Sequence, residues 1–344
     1  MTSTAPLRCA VVGVGRMGRH HARVYAQMPE AEFVGVLDDD PVRSSGIVEE
    51  WGGQAFDSME SMLEAGVDAV TIATPTVTHR ALAERLLEAD VHCLIEKPIA
   101  QDAAEATAIA EAAERHGKVI QVGHVVRFDP VMRAIRSIEG LKPRFIDVQR
   151  VSPMTFRSVD VGVVLDMMIH DLDLLLMLVG AEPEEIHANA VSVLGEAEDI
   201  CNARLIFPAD EDGLRCVANV TASRLAFKTE RTMRILSEDM YVTADFGRQC
   251  GAVVHKKDNQ SKLDEIRERL RNREDLSDVD YLELVKTTPL DIGDAEPLRL
   301  QASAFIDAIC SNRTPEVSAA AGSSAVRTAE RIIAAARDAG SRMI

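Results

Sequence analysis

The 344 residues hold no run suited to a plain membrane span. The most apolar stretch, Val161 to Gly180, carries Asp166, His170, Asp171 and Asp173, and four ionisable groups exclude it as a spanning helix. The N-terminus shows no charged region followed by an apolar run, so no secretory signal is expected. The six cysteines (9, 93, 201, 216, 250 and 310) include no C-x-x-C pair and read as small buried hydrophobes of a reducing, cytoplasmic compartment. Positive charge is in short supply: 38 Lys and Arg against 55 Asp and Glu leave a net charge of -17, which argues against nucleic acid and anionic membranes as partners. Internal repeats and low-complexity segments are also absent. What is present, 47% hydrophobic and 27% charged residues, describes an ordinary globular chain longer than one core usually organises.

The most informative stretch is Leu7-Arg-Cys-Ala-Val-Val-Gly13-Val-Gly15-Arg16-Met17-Gly18, an apolar strand that opens through G-x-G-x-x-G into helix-forming residues. Gly13 permits the tight turn, Gly15 lets the backbone approach a pyrophosphate, and Gly18 lets the helix pack against the sheet. The helix N-terminus then offers the anion unpaired N–H groups and a partial positive charge. Arg16 and Met17, inside the turn, belong to the same site. A second strand, Phe33 to Leu37, ends in Asp38, 20 residues after Gly18, where an acid would accept from the ribose hydroxyls. Because a 2′-phosphate would meet Asp38, Asp39 and Asp40 together, NAD is expected over NADP. Asp39 and Asp40 themselves read as a solvated turn that caps the next helix.

Up to residue 123 short apolar strands, including Ala69–Ala73, Val91–Ile95 and Lys118–Val122, alternate with helical patterns, so βαβ units and a doubly wound parallel sheet are predicted. Asp102 is placed to cap one of those helices and Gly117 to end it. Ligands should lie beyond the carboxyl ends of the strands, where Gly13, Asp38, Thr74, Pro75 and Glu96-Lys97-Pro98 fall. From residue 124 the rhythm changes to consecutive strand-like runs between 144 and 246 joined by short loops, which predicts an antiparallel sheet with the helix around 163–179 on one face. The charged stretch Asp258–Lys286 reads as exposed helix and loop, and two closing helices cover Leu298–Ser311 and Ala319–Ala339. The division is therefore 1–123 for an NAD-binding domain and 124–344 for an α+β substrate and oligomerisation domain, whose last helices are free to pack back on the first.

Two clusters carry candidate chemistry. Lys97, at a strand end with Pro98 biasing its backbone, is placed to orient a substrate hydroxyl. In Asp166-Met-Met-Ile-His170-Asp171-Leu-Asp173 an acid and a histidine stand one helical turn apart, with Asp173 on the same stripe, as a general base for alcohol oxidation requires. The same residues also fit a satisfied core histidine. A metal site is disfavoured by a single histidine and no second ligand-rich segment. Arg127, Arg150 and Arg157 offer guanidinium forks for a diphosphate, or are surface arginines of an acidic protein.

Taken together, Gly13-Val-Gly-Arg-Met-Gly18, Ala73-Thr-Pro-Thr-Val-Thr-His79, Glu96-Lys97-Pro98, Val122-Gly-His-Val-Val-Arg127-Phe-Asp-Pro130 and Asp166-x-x-x-His170 resemble the Gfo/Idh/MocA oxidoreductases over essentially the whole chain. The resemblance implies a Rossmann domain followed by an open-faced antiparallel sheet domain, NAD(P)-dependent oxidation of CH–OH groups, and a homodimer or homotetramer formed through the sheet. It assigns Lys97, His170 and Asp166 to catalysis. Thr74, Pro75 and His79 match the loop beside the cofactor, although His79 also suits a packing role, and Glu96 lies at the crevice. The stretches 122–130, 160–173 and 199–207 look like the branch that oxidises C3 of UDP-N-acetylglucosamine on the way to diamino-sugar lipid A; for such a substrate Arg127 and Arg157, by their guanidinium chemistry, are the expected binding groups. The alternatives are a free-sugar or inositol dehydrogenase and a non-catalytic dinucleotide-binding regulator.

Overall fold

Strands buried on both faces must be largely apolar, and those of the first half are. In the computed structural model, which describes residues 5–155, 161–194, 196–257, 260–277, 279–280 and 283–341, they form a six-stranded parallel sheet. Its strands are β1 (Leu7–Val12), β2 (Ala31–Leu37), β3 (Gln54–Phe56), β4 (Ala69–Ile72), β5 (His92–Ile95) and β6 (Ile120–Val122), in the order β3-β2-β1-β4-β5-β6. Helices α1 (Gly18–Gln27), α2 (Pro41–Trp51), α3 (Met59–Glu64), α4 (His79–Glu88) and α5 (Ala103–His116) connect them. The local signals act as anticipated: Asp40 caps α2 through Val42 N at 3.0 Å, Asp102 caps α5 through Glu105 N at 2.7 Å, and Gly117 ends α5 at φ 62°. Strand order reverses between β1 and β4, which opens a crevice at their carboxyl ends.

The second half adds α6 (Pro130–Arg136), β7 (Phe145–Val151), α7 (Ile169–Val179), β8 (Glu185–Val191), β9 (Ile200–Ala209), β10 (Arg215–Ser223), β11 (Glu230–Leu236), β12 (Met240–Asp245), β13 (Cys250–Lys256), α8 (Gln260–Arg271) and β14 (Val285–Pro289). Their strands build one eight-stranded sheet, β14-β13-β12-β11-β7-β10-β9-β8. Two features depart from the sequence reading. The sheet is not antiparallel throughout, because β7 and β10 run parallel; the chain leaves β7 by way of α7 and a β8–β9 hairpin before returning, and such a crossover brings strands back in the same direction. The sheet also extends through β13 to β14, which lies at the end of the stretch read as helix and loop. An edge strand that is mostly exposed and ends in Pro289 carries no buried alternation to announce it.

One face of this sheet is sealed by α7 and by the last helix, and the other carries polar rungs such as Asn202 Nδ2 to Thr221 Oγ1 at 2.8 Å and Arg204 Nη1 to Asn219 Oδ1 at 3.1 Å. The closing helices α9 (Pro297–Cys310) and α10 (Ala319–Asp338) return to the first sheet. Leu298, Ala302, Phe305 and Ile306 of α9 enter the core around β1. On α10, Gly322 lies so close to β6 that an added Cβ would stand 2.7 Å from Val122 Cγ2, and Ile332 belongs to the core of the second sheet. A single helix thus fixes the two sheets against each other. No helix among the described residues is long and apolar enough to cross a membrane.

Candidate active site

The glycine turn fits a dinucleotide. A Cβ on Gly13 would lie 2.7 Å from Thr74 Cγ2 and 2.8 Å from Ala73 O, and one on Gly18 only 1.8 Å from Gly13 O, so both positions must be glycine for turn, loop and helix to close up. Gly15 differs: a Cβ there would meet nothing within 4 Å, because the backbone faces the open crevice where a pyrophosphate would rest. Met17 stands at the start of α1, and the exposed Arg16 lines the opening with Arg19, His20 and Arg43. Asp38 ties β2 to the turn, with Oδ2 accepting from Val14 N at 2.6 Å and Oδ1 from Asp40 N at 2.9 Å. A half-buried carboxylate held by two backbone N–H groups keeps lone pairs for a ribose.

Thr74 and Pro75 form the loop facing this turn, and Thr74 Oγ1 bonds Thr78 Oγ1 at 2.7 Å. His79 is buried, with Nε2 3.0 Å from Thr74 O and Nδ1 3.1 Å from Pro98 O. It braces that loop against the Lys97–Pro98 turn, whose peptide bond is cis, so of its two readings packing is the one the structure shows. Glu96 is turned inward in the same way. Its Oε1 lies 2.7 Å from His21 Nε2 on α1, and its Oε2 accepts from Lys97 N at 3.2 Å. Burial alone would push its carboxyl up, but these hydrogen bonds and the neighbouring positive charge hold it below the usual range. Glu96 therefore links the nucleotide helix to the lysine rather than reaching into the crevice.

Lys97 reaches the segment just before α7, where Nζ donates to Asp166 O at 2.7 Å and to Asp166 Oδ1 at 3.2 Å. Asp166 sits in a π-helical turn, Val164–Met168, directly before α7, in which Ile169 N reaches back to Val164 O. Such wide turns recur at functional sites. This turn alters the stripe expected of a regular helix. Asp166 meets Lys97, His170 lies 6.2 Å between ring centroids from His124, and Asp173 points into the core. Burial and the nearby charges of Lys97 and Arg150 push the His170 imidazole well below its ordinary range, so it is neutral and able to accept a proton. Glu198 fixes the start of this segment, accepting from Val164 N at 3.0 Å.

Arg127 does not line this cleft. Its Nε and Nη2 each donate at 2.6 Å to Asp173, and its Nη1 at 3.0 Å to Glu316 O, so the fork expected to hold substrate is used inside the protein. Arg150 is committed likewise to Asp171, through two bonds of 2.7 Å. Arg157 lies outside the described residues. The cleft, of about 620 Å³, is lined by Lys97, Gln101, Asp166, Glu196, Glu198 and Arg337, among others. No sequence signal marked Arg337, a basic residue in the last turn of α10, and His124, although it falls in the motif Val122 to Pro130 that follows β6, was given no role of its own. No group of three or more His, Cys, Asp or Glu able to hold a metal occurs among the described residues.

A glycine-turn crevice shaped for a nucleotide on the first sheet, together with a lysine from the end of β5 that meets a carboxylate just before α7, marks a dinucleotide-dependent oxidoreductase. The comparisons agree. Residues 7–124 match the oxidoreductase family with an NAD-binding Rossmann fold, and residues 141–242 match the GFO/IDH/MocA C-terminal domain. The chain belongs to the GFO/IDH/MocA family and is an NAD-binding oxidoreductase. It is 38% identical over 250 residues, 73% of this chain and 77% of the relative, to UDP-N-acetylglucosamine 3-dehydrogenase of Acidithiobacillus ferrooxidans. A solved structure of that dehydrogenase superposes with a TM-score of 0.85 at 32% identity, covering 97% and 99% of the two chains. The scyllo-inositol 2-dehydrogenase (NAD(+)) of Bacillus subtilis is 34% identical over 187 residues, 51% of this chain and 55% of that one.

Proposed function

We propose that this oxidoreductase removes hydride from a sugar carbon, and that its substrate is UDP-N-acetylglucosamine, oxidised at C3. The observation that carries the reaction type is Lys97 Nζ held at 2.7 and 3.2 Å by Asp166 on the cleft, with the neutral His170 behind them, near enough for the Lys97 charge to act on it. In this reading Lys97 donates to the reacting hydroxyl oxygen and favours its alkoxide character. His170 accepts the hydroxyl proton, and Asp166 orients Lys97 while accepting from a neighbouring hydroxyl. Bound NAD supplies the hydride acceptor.

The nucleotide sugar is supported by the likeness to the Acidithiobacillus enzyme and by Arg337, an exposed cation on the cleft with no ion pair among the described residues. A second reading, a neutral polyol such as an inositol, is favoured by the carboxylates of Asp166 and Glu196 on the same cleft, since carboxylates accept well from hydroxyls. Following nicotinamide reduction by absorbance with UDP-N-acetylglucosamine, N-acetylglucosamine and scyllo-inositol separates the two. The expected result is a kcat/KM at least about tenfold higher for the nucleotide sugar. Faster oxidation of the inositol would assign the polyol instead, and no turnover with any of them would return the chain to a binding role.

The cofactor preference rests on Asp38. Its replacement by alanine is expected to weaken NAD binding by about 1.5–3 kcal/mol, through loss of the ribose hydrogen bonds and of the acceptor for Val14 N, while NADP binding changes less. Fluorescence titration of both cofactors gives the ratio. An unchanged NAD-to-NADP ratio in the Asp38→Ala protein would dismiss the assignment.

A further inference from the structure

His124 is buried, yet neither of its ring nitrogens has a hydrogen-bond partner. Buried polar atoms are nearly always paired, so a wholly unpaired imidazole calls for an explanation. The ring stands at the end of β6, between the Glu96–Lys97 turn and α7, and both nitrogens are closed off by the protein's own atoms rather than presented to the cleft. The charged groups around it, Glu96, Lys97, Arg127 and Asp173, are all engaged elsewhere: Glu96 by His21, Lys97 by Asp166, and Arg127 with Asp173. One neighbouring atom shares its condition. Nδ1 of His170 is buried and unpaired too, and the two rings meet edge to face at 6.2 Å and 87°.

A histidine accepts a substrate proton on Nε2 only if Nδ1 carries the ring's other proton, and that tautomer is ordinarily fixed by an acceptor at Nδ1. Resting on the reading of His170 as the base, we propose that His124 is its positioning residue: as His170 gains the hydroxyl proton at Nε2, its Nδ1–H donates to the imidazole of His124. The bond is absent in the neutral ground state, where the rings sit apart, and forms as the imidazolium develops. An interaction made only on the way to the transition state raises kcat without tightening substrate binding. Burial lowers the His124 pKa as well, so this ring stays neutral and keeps a lone pair to accept with.

The test compares His124→Phe, which removes both nitrogens, with His124→Gln, which restores an acceptor. The phenylalanine variant is expected to lower kcat about 10- to 100-fold with KM, NAD affinity and thermal midpoint little changed, and the glutamine variant to recover part of the loss. In a His170→Ala background the phenylalanine change should have no further effect. Nitrogen-15 NMR of histidine-labelled unaltered protein supplies a reading that needs no variant to fold: His170 should carry its proton on Nδ1. A kcat within twofold of the parent for His124→Phe, an equal loss in the His170→Ala background, or a His170 protonated on Nε2 would each overturn the proposal. If His170→Ala itself leaves turnover intact, it is the reading of the base that fails instead.

Discussion

Lys97→Ala and His170→Ala are each expected to lower kcat by about 10²–10⁴, the range for a positioned proton transfer, with NAD affinity almost unchanged. The separation of effects follows from placement. Lys97 lines the cleft and His170 lies beyond Asp166 at the start of α7, whereas the glycine turn and Asp38 stand at the β1 and β2 ends of the crevice. Lys97→Arg should rescue little, because the larger guanidinium holds its donors in one fixed plane and does not put one where the compact ammonium stands between Asp166 and the hydroxyl oxygen. The pH profile gives a further check. The base works as the neutral imidazole, and its pKa is pushed well below 6.5, so the acid limb of kcat/KM moves to lower pH and activity should run flat through pH 6.5. A half-maximal point at pH 6.5 would mean that His170 is not the titrating group. Stopped-flow and steady-state rates across pH, with cofactor affinities measured alongside, decide both points.

The second large effect is on stability. Arg127 and Asp173 form a two-bond pair whose side chains are 8% and 1% exposed, and Asp173→Ala leaves the guanidinium buried with its partner removed. The expected loss is about 3–5 kcal/mol in urea unfolding followed by circular dichroism. The double replacement Arg127→Met with Asp173→Leu should recover most of it, since an apolar pair of similar volume avoids the desolvation of two ions. That double variant also separates the two roles considered for Arg127. With the guanidinium serving only to join the segment after β6 to α7, KM for the sugar should stay within about twofold; a tenfold rise would restore Arg127 to the substrate site. A loss under about 1 kcal/mol on Asp173→Ala would mean that water reaches the pair.

Local signals in the sequence determine much of the first domain and of the reaction type. Gly13, Gly15 and Gly18 state their demand directly, because the reason for each glycine is steric and lies within the turn or one strand away. Asp40, Asp102 and Gly117 act on the residues beside them, so their roles are legible without tertiary information. Lys97, Asp166 and His170 stand out as residue types at strand and helix ends, and the structure brings the first two into contact. Long-range pairing settled the rest. Glu96, His79 and Arg127 look like ligand-binding residues by position, but their partners, His21, the carbonyls of Thr74 and Pro98, and Asp173, lie 75, 5 and 19, and 46 residues away in sequence. Whether a polar side chain faces a ligand or another part of the protein depends on which elements the fold sets beside it. The same holds for His124 and Arg337: the motif around the first assigns it no role, nothing near the second marks it, and only the approach of the segment after β6 to α7, and the packing of α10 across both sheets, gives each its surroundings.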